Sequence, residues 1–312
     1  MNPQIHLAVS PHIHSGRSTR RIMIDVLIAL LPTTVAGAVI FGWRSLLVLA
    51  VCIGTCILSE ALFQWIVKKP QTVGDCSAAV TGLLLALNLP ANIPLWQAAI
   101  GAIFAIVVVK CLFGGLGKNL VNPAITARVF MTVSFSAMVG SALPHWASAD
   151  AVSAATPLSV IGTEQSPSLL KLLFGFHSGT IGEVCAVALL LGFAYLLIRR
   201  VITWQLPVTF VGVVFMMSFF LGGMSLSYAT GAILSGGLLL GAIFMATDYV
   251  TSPSTAWGKV IFGVGAALIT VLIRFWGNYP EGVSFAILLM NILTPYIDSW
   301  TSRKTFGGGK KA

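Results

Sequence analysis

The chain has 312 residues, of which 57% are hydrophobic and only 9% are charged, and its mean hydropathy is +0.93. A water-soluble domain carries about 25% charged residues, so this composition excludes a soluble globular protein and predicts an integral membrane protein. The net charge of +9 does not indicate nucleic-acid binding, because the basic residues fall at the ends of apolar runs, where membrane topology places them.

Apolar runs long enough to cross about 30 Å of hydrocarbon predict an all-α polytopic membrane protein with about ten transmembrane helices. The third run is short and ends at Asn88-Leu-Pro90, which indicates a broken or re-entrant span, a feature of transporter-like folds. The predicted spans, in chain order, are 21–41, 45–67, 76–90, 95–113, 122–142, 182–199, 204–222, 230–247, 258–277 and 283–299.

Lysine and arginine fix the predicted orientation. With the N-terminus in the cytoplasm, fourteen of them lie inside and only Arg44, Lys171 and Arg274 lie outside, while Arg128 falls within the fifth span. The sequence therefore predicts a multi-pass protein of the cell (inner) membrane with two cytoplasmic tails, residues 1–20 and 300–312. Residues 143–181 form an outer-face loop between two five-helix halves, 21–142 and 182–299.

The two halves resemble each other in sequence. Thr81-Gly-Leu-Leu-Leu-Ala-Leu87 in the third span echoes Gly236-Gly-Leu-Leu-Leu-Gly-Ala242 in the eighth, and Trp96 before the fourth echoes Trp257 before the ninth. Because five is an odd number of spans, the second copy is inverted relative to the first. An inverted five-plus-five repeat places its functional site between the halves, near the midplane.

Polar residues near the fourth and fifth spans are candidate site residues. Gly114-Gly-Leu-Gly117 and the following residues up to Ala124 lack the spacing of a phosphate-binding loop; the alternative is a turn in which Asn122 caps the fifth helix, with Pro123 at its first position. Arg128 requires a partner or a polar cavity inside the membrane; its alternative is snorkelling to the interface. Glu60, close to Lys68, is interpreted as an ordinary interfacial carboxylate.

Two aspartates lie at span ends. Asp75 opens the third span and Asp248 closes the eighth, beside the predicted break, where a carboxylate could bind a cation or line an ion path. The alternative for each is a helix-end aspartate in a turn. The sequence contains no zinc motif and no serine–histidine–aspartate arrangement, so we expect neither a metal site nor a catalytic residue.

The long polar loop contains one threonine with unusual neighbours. Asp150-Ala-Val-Ser153-Ala-Ala155-Thr156 is followed by Pro157, which biases Thr156 towards an extended backbone. Small residues on either side leave its hydroxyl accessible to a modifying enzyme, although a tight turn would have a similar composition. Asp-x-x-Ser-(Gly/Ala)-Ala-Thr resembles the recognition sequence at which a flavin transferase joins FMN to threonine through a phosphodiester.

The resemblance extends over nearly the whole chain. The chain is similar to the D subunits of Rnf ion-translocating ferredoxin:NAD oxidoreductases and, more distantly, to the B subunits of sodium-pumping NADH:quinone oxidoreductases. One departure is Ala154, where the family more often has glycine. The motifs that carry the likeness are Ser10-Pro-His12, Arg17-Ser-Thr-Arg-Arg-Ile-Met23, Thr81-Gly-Leu-Leu-Leu85, Gly114-Gly-Leu-Gly117 with Asn122-Pro-Ala124, Met245-Ala-Thr-Asp248, and Tyr279-Pro-Glu-Gly-Val-Ser-Phe-Ala286 through Leu288-Leu-Met-Asn291.

The resemblance implies a membrane flavoprotein subunit of a six-subunit complex, embedded in lipid. Such a complex passes electrons between ferredoxin and NAD and moves Na⁺ or H⁺ across the membrane. FMN would be attached to Thr156, with Asp150, Ser153 and Ala155 in the attachment motif, by a flavin transferase. A second, non-covalent flavin such as riboflavin would lie between the halves, where Arg128 and Asn122 are candidate contacts. The competing hypothesis is a free-standing transporter or channel without redox activity.

Overall fold

A computed structural model describes residues 18–135, 144, 168–277 and 281–302. Within these ranges the chain is helical with short connections and contains no β-strand. The attachment motif, Asp150 to Thr156, lies outside the described residues, as do both ends of the chain. The expected outer-face loop 143–181 is described only at Pro144 and from Ser168 onwards.

The helices follow the predicted apolar runs: nine of the ten runs correspond to one helix each, and the eighth, 230–247, contains part of α9 and all of α10. The first half comprises α1 (Thr19–Phe41), α2 (Trp43–Ile66), α3 (Ser77–Leu87), α4 (Leu95–Cys111, π-helical from Phe104) and α5 (Pro123–Ser134). The short α6 (Leu169–Phe174) follows, and the second half comprises α7 (Ala186–Ile198), α8 (Gln205–Leu221), α9 (Leu226–Leu234), α10 (Leu238–Met245), α11 (Ala256–Trp276) and α12 (Val283–Thr301).

The prediction of an α-helical polytopic membrane protein is confirmed. Among the described residues, α1, α2, α11 and α12 are individually long and apolar enough to cross a membrane. Helices α9 and α10 pass the same test together, as a broken span or a re-entrant loop bent by 62°. Helices α3, α4, α7 and α8 are apolar but shorter, and α5 ends at Ser134, well before the end of the predicted fifth span at 142. The sixth predicted span begins too early at 182, because residues 180–185 form turns and the helix begins only at Ala186.

The packing of helices recurs in the two halves. The second helix of each half packs on the fourth, α2 on α4 and α8 on α11, and also on the third, α2 on α3 and α8 on α9. Between the halves, the two first helices α1 and α7 pack together, as do the two last, α5 and α12. A five-plus-five repeat would produce such a recurrence; the repeat and its inversion across the membrane both stay predictions.

The third segment of each half is interrupted, as the short third run predicted. Helix α3 ends at Leu87, with Asn88 as its C-cap, just before Pro90. The carbonyl of Leu87 and that of Leu89, beyond the helix, accept hydrogen bonds from the backbone N–H groups of Gly182 and Ile181, at 2.7 and 3.1 Å. The chain entering the second half therefore satisfies helix-end carbonyls of the first, which in a membrane would otherwise be costly.

Candidate functional site

A cavity between the two halves is the principal candidate site. One wall comes from α1, α3 and α4 and from the loop before α5; the other comes from the end of α7 and the residues after α10. The cavity is an open cleft, in which about 80 Å³ is available to the centre of a water-sized molecule. Its apolar wall includes Val80, Leu84 and Phe244, and its polar groups are Ser77, Thr81, Lys110, Asn119, Asn122, Thr247 and Asp248. A mainly apolar cleft with a few polar groups is the usual form of a cofactor site.

Asn122 fixes one corner of this cavity. Its Oδ1 accepts from the backbone N–H groups of Ala124 and Ile125, at 3.0 and 3.3 Å, which confirms the predicted helix cap. Its Nδ2 donates to the carbonyl of Met245 at 3.2 Å, so the same side chain also joins the halves. The Oδ1 atom of the neighbouring Asn119 is buried and has no hydrogen-bond partner among the described residues, which leaves an acceptor available at the cavity wall.

Lys110 belongs to a buried network at the same end of α3. Its Nζ lies 2.8 Å from Glu60 Oε2 and 2.6 Å from Ser77 Oγ, and both charged side chains are only 1% exposed. Glu60 also accepts from Thr72 Oγ1 at 3.1 Å and Gln64 Nε2 at 3.3 Å. The interpretation of Glu60 as an interfacial carboxylate is therefore wrong. The packing of α2 on α3 and α4 encloses it, and Lys110 compensates its charge.

Arg128 has partners on both sides of the interface between the halves. Its Nη1 donates to the backbone oxygen and to Oδ1 of Asn88, at 2.8 Å each, and its Nη2 forms an ion pair with Glu281. The expectation of a partner is confirmed, and snorkelling to the interface is wrong. Arg128 does not line the inter-half cavity, which includes Asn122 instead.

The two aspartates lie in different settings. Asp75 Oδ1 accepts from the backbone N–H and the hydroxyl of Ser77, at 2.8 and 2.6 Å, and so caps the start of α3. Asp248 accepts from Thr251 Oγ1 at 3.3 Å and lines the inter-half cavity. Burial raises the pKa of Asp248 above the ordinary range for an aspartate. Asp75 thus has a structural role, whereas Asp248 adds an acid group to the cavity.

The attachment motif is not among the described residues. Its members Thr156, Asp150, Ser153 and Ala155 all lie outside the described ranges. Within the described ranges, no three His, Cys, Asp or Glu side chains are placed to hold a metal ion. Among the described residues, the polar groups between the halves include those that line the inter-half cavity and two charged clusters at the opposite ends of α3, one around Lys110 and one around Arg128.

Comparison with known proteins decides the family. The model of the NQR2, RnfD, RnfE family matches residues 6–307, nearly the whole chain. The chain belongs to this family. Its resemblance to the Rnf D subunits, based above on scattered motifs, is thereby confirmed.

Relatives within the NQR2, RnfD, RnfE family match end to end. The chain is 42% identical to the D subunit of the Na⁺-translocating ferredoxin:NAD⁺ oxidoreductase complex of Acetobacterium woodii, over 97% of this chain and 96% of the relative. It is 38% identical to the D subunit of the proton-translocating ferredoxin:NAD⁺ oxidoreductase complex of Clostridium ljungdahlii, over 96% of both. It is 37% identical to the D subunit of the ion-translocating oxidoreductase complex of Marinobacter nauticus, over 96% of this chain and 95% of the relative.

Proposed function

We propose that the chain is the D subunit of a six-subunit ion-translocating ferredoxin:NAD⁺ oxidoreductase of the cell membrane. The observation that carries this proposal is the end-to-end match, at 42% and 38% identity, with subunits of that name. These relatives are named as parts of a complex, which favours a subunit over a free-standing transporter. NAD and ferredoxin would be bound by partner subunits, and this chain would relay electrons within the membrane.

The first flavin is proposed to be FMN, joined by a phosphodiester to Thr156. The support is the sequence Asp150 to Thr156, with small residues around one hydroxyl and a proline after it. Covalent attachment gives a cofactor at an exposed surface a high effective concentration, since it cannot diffuse away. A flavin transferase would carry out the attachment, and the FMN would supply the one- and two-electron chemistry.

A denaturing gel tests the attachment. The band of the full chain, expressed with the flavin transferase, is expected to fluoresce under ultraviolet light. Thr156→Val removes the hydroxyl and is expected to abolish the fluorescence, whereas the control Thr163→Val in the same loop is expected to retain it. Mass spectrometry of the peptide containing Thr156 then identifies the adduct as FMN. A fluorescent band from the Thr156→Val variant would contradict the attachment of FMN to Thr156.

The second flavin, such as riboflavin, is proposed to bind non-covalently in the inter-half cavity. The fit rests on the chemistry of the lining: apolar side chains suit a flat ring, and the unpartnered Oδ1 of Asn119 suits the N–H of its polar edge. The hydroxyl oxygen of Thr247, whose hydrogen is donated to the carbonyl of Ile243, adds a further acceptor on the opposite wall. Asn122, by holding α5 and the end of α10 together, would maintain the width of the cavity.

Flavin released by denaturation measures this second site separately from the first. Asn119→Leu is expected to lower the released flavin several-fold and to leave the covalent fluorescent band unchanged. The control is Asn92→Leu, which is exposed and remote from the cavity lining. Unchanged release from the Asn119→Leu variant would contradict placement in this cavity, while loss of the covalent band alone would concern only Thr156.

The translocated ion is proposed to be Na⁺ or H⁺, with Asp248 and Asp75 as candidates for its path. The first two relatives described above are named for translocating different ions, so family membership does not choose between them. Ferredoxin-driven ion uptake into membrane vesicles, with a sodium ionophore compared with a protonophore, makes that choice. Asp248→Asn is expected to slow uptake more than Asp75→Asn, because only Asp248 lines the inter-half cavity. Equal rates in wild type and the Asp248→Asn variant would exclude Asp248.

The proposed orientation places both termini in the cytoplasm and Thr156 on the outer face. Its support is the bias of lysine and arginine towards one set of loops. Cysteine labelling in intact cells tests this orientation. Thr163→Cys is expected to react with a membrane-impermeant reagent, and Gly308→Cys is expected to react only after lysis. The reverse pattern would invert the topology.

A further inference from the structure

A second charged cluster lies at the end of α3 opposite to Ser77. We call it the Arg128 cluster; its members are Asn88, Arg128, Glu183, Arg274 and Glu281. Ser77 and Asn88 flank the eleven-residue helix α3, so the cluster lies roughly 16 Å along the helix axis from the Lys110 network. None of its members lines the inter-half cavity. Neither of the proposed flavin sites uses these side chains.

The cluster connects the two halves through four elements. Arg128 on α5 donates twice to Asn88 at the end of α3, and it pairs with Glu281, which precedes α12. Glu281 in turn accepts from the backbone N–H of Gly237 at 2.9 Å, where the bent span α9–α10 resumes. The broken spans of both halves are thus linked through a single guanidinium group and a single carboxylate.

Glu183 brings a second carboxyl group against Glu281. Glu183 is 3% exposed, and its Oε2 accepts from Thr180 Oγ1 at 2.8 Å. Its carboxyl group lies within hydrogen-bonding distance of the carboxyl group of Glu281. Two ionised carboxylates are both acceptors and cannot hydrogen-bond to each other. The contact therefore requires one proton between them, as in other buried carboxyl pairs.

The segment that carries Glu183 is held closely against α3. Gly182 N–H bonds to the carbonyl of Leu87, and a Cβ added at Gly182 would lie 2.6 Å from the Leu87 side chain and 2.9 Å from that carbonyl. The close approach requires glycine here. The position of the Glu183 carboxyl group is therefore fixed by backbone pairing and not only by its own side-chain bonds.

Two guanidinium groups face the two carboxyl groups. In the described parts of the chain, the charged and titratable groups facing it are Arg128 and Arg274, with Tyr228 of α9 next to Arg274. Arg274 donates to the carbonyls of Ala232 and Ser235 at the α9–α10 break, at 2.8 and 3.5 Å. At the same break, Ser235 Oγ and Arg274 Nε are buried without a hydrogen-bond partner among the described residues. These two atoms leave hydrogen-bonding capacity unused at the break.

We propose that Glu183 and Glu281 form a proton-binding site, and that its occupancy controls the contact between the two halves at the Arg128 cluster. With the proton on Glu183, that carboxyl group donates to Glu281, which stays ionised for Arg128 and for Gly237 N–H. Loss of the proton to solvent leaves two adjacent carboxylates that repel each other. The segment at 181–183 then separates from the end of α3. The inference does not depend on either flavin.

Infrared difference spectroscopy of the full-length chain, titrated with alkali in sodium-free buffer, tests the proton. Wild type is expected to lose the band of one protonated carboxyl group per chain as the pH rises. Glu183→Gln is expected to lack this band, because the remaining carboxylate, Glu281, is paired with Arg128 and stays ionised. Glu60→Gln is the matched control: Glu60 is equally buried but pairs with a lysine, so the band is expected to remain.

Hydrogen exchange of the peptide containing Ile181 and Gly182 tests whether the proton controls the contact between this segment and the end of α3. After correction for the intrinsic rate, exchange is expected to accelerate with pH in wild type and to be independent of pH in the Glu183→Gln variant. Absence of the wild-type band, its survival in the Glu183→Gln variant, or wild-type exchange that does not change with pH would each overturn the proposal. Loss of the band on adding sodium at constant pH would also overturn it, in favour of a metal-cation site. If Glu183→Gln does not fold, the wild-type band and the wild-type exchange decide.

Discussion

The buried pair of Lys110 and Glu60 is expected to dominate the response of the first half to mutation. Both side chains are 1% exposed and their charged atoms are 2.8 Å apart. Removing one partner of such a pair leaves an uncompensated buried charge and costs about 3–5 kcal/mol. Removing both partners is far less costly, since no charge remains to be desolvated. The perturbations are therefore Lys110→Met, Glu60→Met and the double variant.

The hydrogen-bond partners that remain decide which single variant is expected to lose more stability. In Lys110→Met, Glu60 keeps the Thr72 hydroxyl and the Gln64 amide as donors, so we expect a loss near the lower limit of about 3 kcal/mol. In Glu60→Met, the Lys110 ammonium keeps the Ser77 hydroxyl as its one hydrogen-bond acceptor among the described residues, so we expect a loss near the upper limit of about 5 kcal/mol. The double variant is expected to lose less than either.

The assay is reversible unfolding in mixed micelles, followed by the fluorescence of the eight tryptophans as the fraction of dodecyl sulfate rises. Arg199→Met is the control: Arg199 is 40% exposed, so only one partner of its pair with Asp25 is buried, and we expect a smaller loss than in either single variant of the Lys110–Glu60 pair. Additive losses in the double variant, with no coupling energy, would refute the account of Lys110 and Glu60 as one compensated unit.

Two further predictions concern backbone positions of the interface. Gly182→Ala is expected to destabilise the chain by about 1–3 kcal/mol or more, through overpacking against Leu87. The control Gly212→Ala, whose added Cβ meets nothing within 4 Å, is expected to be neutral or to stabilise by up to about 1 kcal/mol. Equal losses of stability in the two variants would contradict the packing argument. Asn122→Ala removes the cap of α5 and the hydrogen bond to the carbonyl of Met245. It is expected to lower the free energy of unfolding by about 0.5–2 kcal/mol and to reduce the amount of released flavin. An unchanged unfolding midpoint would show that the cap contributes nothing to stability.

Local patterns in the sequence predicted local structure well. The apolar runs placed a helix in each expected segment, the Asn122-Pro123 pair predicted the start of α5, and Asn88-Leu-Pro90 predicted the end of α3. Each of these depends on neighbours within a few residues, through helix caps and proline geometry. The boundary of α7 was missed because the apolar run begins before Ala186, in residues whose backbone bonds to α3 and not to a helix of its own.

The charged clusters were only partly predictable. Arg128 was expected to have a partner because an arginine in a span is costly, but nothing nearby in the chain pointed to Glu281, 153 residues away. Glu281 stood in one of the family motifs, Tyr279 to Ala286, and Glu183 stood at the start of a span. Neither glutamate was predicted as a site residue, although a carboxylate next to an apolar segment is itself a signal of a buried partner.

The sequence by itself determined the class of the protein, the positions of its helices, the helix caps and the family, because these follow from composition, from short-range patterns and from end-to-end similarity. The tertiary structure decided which buried charges meet: Lys110 with Glu60, Arg128 with Glu281, and Glu183 against Glu281. The physical reason is that a buried charge requires compensation from any direction. Helix packing, and not chain distance, selects the group that supplies it.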